Sequence, residues 1–249
     1  MKAIILAAGV GSRIRPLTDN LPKCLLKIGG KSILEMMVSH IQDCGINEVV
    51  FVLGYLQDQI KQFVTTKFPD LTAHFVINDR YAETNTGFSL MLTKDFVEDS
   101  AFVKFDADVV FEKKILKKLL ECGHETCLCI DKNIHLDGEA IKVITRGETR
   151  VVKASKVVDP AAAAGESIGI EKISAQTAKL LFAELEIMMA DEKNHQAYYE
   201  RAYERLIEKD VAFYALDISG LKWSEIDTKA DLGQAEEIFN PRQGNSEPG

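Results

Sequence analysis

A short apolar run ending at two closely spaced glycines constrains this chain more than any other stretch. Lys2–Ala7 is apolar, too short for a helix and followed by glycine, so it reads as a buried strand. The turn after it, LAAGVGSR, carries Gly9 and Gly11, residues that accept positive φ and let backbone amides approach a ligand. The first 32 residues carry six basic side chains, Lys2, Arg13, Arg15, Lys23, Lys27 and Lys31, against one acid, Asp19. The whole chain has a net charge of -8. An acidic protein has therefore gathered positive charge beside bare amides in its first turn.

The rhythm of strand, turn and helix repeats. Ser32 with Glu35 three residues on opens a helix, Ile33, Met37 and Ile41 follow at helical spacing, and Gly45 stops it. Strands are expected at 48–53, 75–77 and 102–105, the last running into FDADVVF, with helices at 55–68, ended by Pro69, and at 86–92. Such alternation gives parallel strands, right-handed crossovers and a sheet covered on both faces. A strand at 126–130 continues the sheet. Then the pattern changes: short strands at 140–144 and 150–154 flank RGETR, helices cover 174–189 and 194–209, a strand covers 211–218, and a last helix covers 229–239. The fold class is α/β, a Rossmann-like three-layer arrangement with a mostly parallel sheet and a small strand-and-helix insertion. Residues 1–239 read as one domain, and 240–249, polar and rich in Pro and Gly, as a disordered tail.

Ligands of an open parallel sheet sit beyond the carboxyl ends of its strands, where LAAGVGSR lies. Successive N–H groups in such a turn form an anion nest. Arg13 adds a planar donor fork suited to phosphate oxygens, and Lys23 approaches from the extended backbone of Pro22. The turn reads as a polyphosphate cradle; the plainer alternative is a tight turn with solvated basic residues. Ile14 stands where a G-x-G-x-x-G dinucleotide site needs its third glycine. Leu25 stands where a P-loop ending in GGKS needs its first. Phosphates call for a cation. FDADVVF offers Asp106 and Asp108, and WSEIDTKADL offers Glu225, Asp227 and Asp231; Mg²⁺ takes one or two carboxylates plus phosphate oxygens. The same acids also suit helix capping, Asp227 ahead of Thr228 above all.

Together these segments resemble the nucleotidyltransferase family that acts on sugar 1-phosphates and phospho-alcohols. The likeness is carried by LAAGVGSRIRPLTDNLPKCLLKIGGKSILE, in which Lys31-Ser32 replaces the usual Lys-Pro, and it extends to about Phe239. NDRYAETNTGFSL, FDADVVF, GESIGIEKIS and WSEIDTKADL make the chain more similar to the cytidylyltransferases, especially the bacterial phosphocholine type. The resemblance implies that Leu6, Ala8, Gly9, Gly11 and Asn85 hold the nucleotide, and that Arg13 and Lys23 meet its triphosphate. It implies that Asp108 and Asp227 hold Mg²⁺, that Lys142 and Lys156 face the acceptor phosphate, and that the late insertion binds the acceptor. The implied reaction joins a small acceptor's phosphate, phosphocholine first, to the α-phosphate of an NTP, CTP first, and releases pyrophosphate. A sugar-1-phosphate enzyme using another NTP, and a catalytically silent nucleotide-sugar-binding regulator, are the alternatives.

A phosphate monoester is largely dianionic at neutral pH, its second pKa lying near ~6. It needs no catalytic base, which agrees with the lack of a persuasive Ser-His-Asp or Cys-His set. Choline would present a quaternary ammonium. Trp223, Tyr198, Tyr199 and Tyr203 are candidate aromatic partners, and Glu166, Glu171 and Asp217 candidate acids; the plainer readings are packing and solvated surface. Cys122, His124, Cys127 and Cys129 lack zinc spacing and read as ordinary thiols, and His40, His74, His135 and His195 stand alone. Five cysteines without paired spacing suggest reduced thiols and a cytoplasmic location. No apolar run has membrane-spanning length, and the acidic balance argues against nucleic-acid partners.

Overall fold

The structure, a computed structural model, describes residues 1–133, 138 and 140–240. His135 and the expected tail from 241 onward lie outside the described residues. β1 (Lys2–Ala7) leads through the glycine turn to a two-residue ladder, β2 (Lys27–Ile28) and β3 (Lys31–Ser32), and then to α1 (Ile33–Asp43). β4 (Glu48–Leu53), α2 (Gln57–Lys67), β5 (Thr72–Ile77), α3 (Thr86–Met91), α4 (Lys94–Val97) and β6 (Phe102–Asp106) complete the first half. The second half opens with β7 (Val109–Phe111), α5 (Lys113–Glu121), β8 (Cys127–Asp131), β9 (Lys142–Arg146) and β10 (Arg150–Ser155). It closes with β11 (Gly165–Ile173), α6 (Ala175–Met189), α7 (Glu200–Glu208), β12 (Tyr214–Asp217), β13 (Trp223–Glu225) and α8 (Lys229–Phe239).

The main sheet has the strand order β5-β4-β1-β6-β11-β8-β12-β10-β9. Its first four strands are parallel. β11 then runs antiparallel between β6 and β8, which makes the sheet mixed. β9 and β10 form the expected hairpin, and β9 also pairs with β11, so the far half curls back on itself. Alternate residues of β1 feed opposite cores. Ala3, Ile5 and Ala7 pack with Leu34, Ile41, Ile60 and Leu116 on one face; Ile4 and Leu6 pack with Leu181, Phe182 and Tyr203 on the other. A strand buried on both faces has no room for polar alternation, which explains the continuous apolar run.

Helix α1 starts as its sequence dictates, with Ser32 Oγ accepting the Glu35 N–H at 3.1 Å, and Gly45 at φ 80° ends the turn after it. The helix expected over 194–209 is shorter. The Asn85 N–H donates to the His195 carbonyl at 2.8 Å and the Gly87 N–H to the Ala197 carbonyl at 3.2 Å. Those long-range bonds take carbonyls that a helix would use, so α7 begins only at Glu200. Likewise the strand expected over 211–218 contracts to Tyr214–Asp217. Among the described residues, no helix is long and apolar enough to cross a membrane.

Candidate active site

A cleft of about 1360 Å³ opens where β1, β6 and β11 deliver their loops. Gly11 takes φ 64°, and a Cβ there would lie 3.1 Å from Lys23 Cβ and 3.2 Å from Thr18 Cγ2. Thr18 Oγ1 donates to the Gly11 carbonyl at 2.7 Å and clamps the turn. Among the described residues, the N–H groups of Gly9, Val10 and Gly11 make no hydrogen bond, so they stand available to an anion. Ile14, at the position where a dinucleotide site would need glycine, is fully buried and packs with Leu26, Val110 and Ile226. It anchors the loop instead of admitting a ligand.

Below the loop lies a chain of charges. Lys23 Nζ is 2.7 Å from Asp108 Oδ2 and 2.7 Å from Asp227 Oδ1, and Arg13 donates to Asp227 Oδ2 at 2.6 Å. Burial works against the Lys23 charge, but the two carboxylates outweigh it and hold the ammonium well above its usual pKa. Burial would also raise Asp108; Lys23 outweighs that and holds the carboxyl below the usual range. Asp231, offered by the sequence beside Asp227, serves the backbone. Its Oδ2 accepts from the N–H groups of Asp227 at 3.0 Å and Thr228 at 2.7 Å, completing the capping box of α8. That cap fixes the backbone from which Asp227 reaches the cleft.

Glu225 completes the acidic group. One carboxylate oxygen from each of Asp108, Glu225 and Asp227 lies within 4.8 Å of the others. The antiparallel ribbon of β7 and β13 brings them together, with Glu225 opposite Val109. Its side chain opens on the cleft, yet burial against the cleft wall and the charges of Asp108 and Asp227 push its carboxyl up to about 9. Asp108 Oδ1 is buried without a hydrogen-bond donor among the described residues. Three hard oxygen donors, one of them orphaned, fit a divalent cation such as Mg²⁺. Glu225 was missing from the expected metal pair. The i, i+2 spacing of Glu225 and Asp227 was the available signal, since alternate residues of an extended segment share a face.

The other expected site residues have mixed surroundings. Leu6, Ala8, Gly9, Gly11, Arg13 and Lys23 line the cleft. So do Asn85, Lys156, Glu166, Tyr198 and Trp223. Asn85 also caps α3, its Oδ1 accepting the Thr86 N–H at 2.8 Å. Lys142 is buried, and its ammonium donates to the Ala140 carbonyl at 3.1 Å. Lys156 Nζ stands 4.5 Å from the centroid of the Tyr198 ring. Trp223 Nε1 donates to Asp131 Oδ2 at 2.9 Å, a partner the sequence did not suggest.

A glycine turn with open amides, a lysine held between two aspartates and a third carboxylate share one cleft, an arrangement suited to a phosphate-bearing ligand. Residues 2–130 match the family model described as nucleotidyl transferase. The chain is 32% identical to the CTP:phosphoglutamine cytidylyltransferase of Campylobacter jejuni, over 93% of this chain and 98% of that protein. It is 27% identical to the CMP-5'-(3-aminopropyl)phosphonate synthase of Streptomyces rubellomurinus, over 97% of this chain and 39% of that protein. The solved structure of a CTP:phosphocholine cytidylyltransferase from Streptococcus pneumoniae is similar at TM-score 0.77 and 26% identity, covering 96% of this chain and 98% of that one. The chain belongs to the nucleotidyl transferase family, and it is a nucleotidyltransferase.

Proposed function

We propose that the protein transfers the cytidylyl group of CTP to the phosphate or phosphonate of a small, amine-bearing acceptor, with release of pyrophosphate. The observation that carries this reading is Lys23, shared at 2.7 Å by Asp108 and Asp227 beneath the open amides of Gly9 to Gly11. An acceptor oxygen attacks the α-phosphorus of CTP. A new P–O bond forms, the bond from the α-phosphorus to the bridging oxygen breaks, and pyrophosphate leaves with the bond's electrons. A phosphate monoester acceptor is already largely dianionic above about pH 6, so no side chain has to remove a proton.

The chain's work is then to bring two anions together in line. The loop amides and Arg13 would hold the triphosphate, and Lys23 would exchange its carboxylate contacts for phosphate oxygens. Asp108, Glu225 and Asp227 would hold Mg²⁺, which supplies positive charge between the two reactants. The relatives' names refer to phosphoglutamine, 3-aminopropylphosphonate and phosphocholine, all nitrogen-bearing compounds. Phosphocholine and its amine relatives therefore come before a sugar 1-phosphate. Five free thiols fit a reducing, cytoplasmic setting.

The test is a matrix of four NTPs against phosphocholine, phosphoethanolamine, glycerol 3-phosphate and glucose 1-phosphate, reading pyrophosphate. The highest kcat/KM is expected for CTP with an amine-bearing acceptor. Turnover confined to glucose 1-phosphate with UTP or dTTP would contradict the assignment.

A further inference from the structure

A second charged group lies in the cleft wall, and the transfer chemistry leaves it unused. Lys104, fully buried in β6, places its ammonium 2.9 Å from Asp106 Oδ2 and 2.8 Å from Glu171 Oε2, and it also meets the Tyr199 hydroxyl. Tyr199 donates to Asp106 Oδ2 at 2.8 Å. Glu200, next in the chain and 8% exposed, adds a third carboxylate. Lys104 pairs directly with Asp106 and Glu171, and its charge also acts on Glu200.

Three carboxylate oxygens of this set are buried without a hydrogen bond among the described residues, Asp106 Oδ1, Glu171 Oε2 and Glu200 Oε2; Glu171 Oε2 has the Lys104 ion pair at 2.8 Å, which leaves Asp106 Oδ1 and Glu200 Oε2. Asp106 and Glu200 both line the cleft. Burial pushes Glu171 up to about 8 and Glu200 up to about 7 even with Lys104 beside them, as expected of acids short of a counter-cation. The group is also held in place: Gly169, at φ 73°, packs so closely that a Cβ there would sit 2.5 Å from Asp106 Oδ2.

The kind of cation that fits follows from what is already taken. The Tyr199 ring has Lys104 Nζ 3.7 Å from its centroid, and the Tyr198 ring has Lys156 Nζ at 4.5 Å. A quaternary ammonium has no N–H and is recognised by open aromatic faces. Orphaned carboxylate oxygens call for N–H donors.

We propose that Asp106 and Glu200 form the acceptor's ammonium subsite, and that the acceptor carries a primary ammonium. The proposal rests on the transfer reading above and narrows its substrate class. It is tested by equilibrium binding, which needs no turnover, so a failed pyrophosphate matrix and a failed subsite remain distinguishable. Phosphoethanolamine, phosphocholine and n-propyl phosphate, the last an uncharged-tail isostere of the first, are titrated into the full-length protein with Mg²⁺ present. Phosphoethanolamine is expected to bind at least about 30-fold more tightly than either of the others, the discrimination a charge-assisted hydrogen-bonded pair provides. In Glu200→Gln that preference over n-propyl phosphate should fall at least about tenfold, with the melting temperature verifying the fold. Equal binding of all three compounds, tightest binding of phosphocholine, or a preference unchanged in a folded Glu200→Gln would each overturn the proposal. The wild-type titrations decide the matter even if the variant does not fold.

Discussion

Replacing Lys23 with methionine lowers turnover by about 10²–10³-fold, the loss that follows removal of one preorganised electrostatic group from a site where charge develops. The Lys23 ammonium is held between Asp108 and Asp227, with 15% of the side chain exposed, and Lys23 follows Pro22, whose φ of -55° begins the short turn over Lys23–Leu25. Methionine keeps most of the side chain's length, one atom short, and removes the charge. The triphosphate would then meet the carboxylates with Arg13 as the remaining cation of this charge chain, itself more than half exposed. Steady-state pyrophosphate release measures the loss, which should fall mainly on kcat, while KM for the acceptor changes little. A second reading comes from the free protein. Without the ammonium, Asp108, Glu225 and Asp227 should take up Mn²⁺ more tightly in the absence of nucleotide. Turnover within threefold of the wild type would separate Lys23 from the chemistry.

Gly169→Ala is expected to destabilise the fold by about 2–5 kcal/mol. Left-handed backbone costs a non-glycine residue roughly 1–2 kcal/mol, and forcing a methyl into a packed site costs about 1–3 kcal/mol. Both apply here, since φ is 73° and the new Cβ would fall 2.5 Å from Asp106 Oδ2 and 3.1 Å from Asp106 Cβ. Each 1 kcal/mol moves the melting temperature of a domain this size by about 2–4 °C, so a drop of about 4–20 °C is expected in a thermal scan. Gly123→Ala is the matched control: nothing lies within 4 Å of a Cβ there, and its φ is not positive. Its melting temperature should stay within about 2 °C of the wild type, as at an ordinary surface position. Two variants with the same small shift would mean that Asp106 yields easily and that its surroundings are not rigid.

The first half of the fold was legible because its signals are local. A doubly buried strand writes itself as an apolar run, and Ser32 and Gly45 punctuate α1 by capping chemistry that acts within a few residues. β11 was not legible. Gly165 and Gly169 interrupt its run, and its partners Phe102–Asp106 and Cys127–Asp131 lie far away in sequence, so its place depends on long-range pairing. The site divides in the same way. Arg13 and Lys23 stand in one basic loop, Asp108 stands in FDADVVF after an apolar strand, and Asp227 stands with Glu225 and Asp231 in the acid-rich WSEIDTKADL. Lys104 was overlooked although a lysine within FVKFD, buried on all sides, is an anomaly that needs partners. Its partners Glu171 and Tyr199 come from separate elements, and only folding assembles them. Asp106 and Asp108 read as a pair on one side, but β6 ends between them, and each answers to a different lysine.

On the proposed reading, this cleft moves a nucleotidyl group, the α-phosphate with its nucleoside, and not a terminal phosphate. CTP labelled at the α-phosphorus, and separately at the γ-phosphorus, is incubated with the protein, Mg²⁺ and the best acceptor from the matrix. The α-label is expected to enter the acceptor product and the γ-label to leave in pyrophosphate, one for one, and both transfers are expected to fall together in Asp227→Asn. Recovery of the γ-label on the acceptor, or transfer undiminished in Asp227→Asn, would contradict that reading.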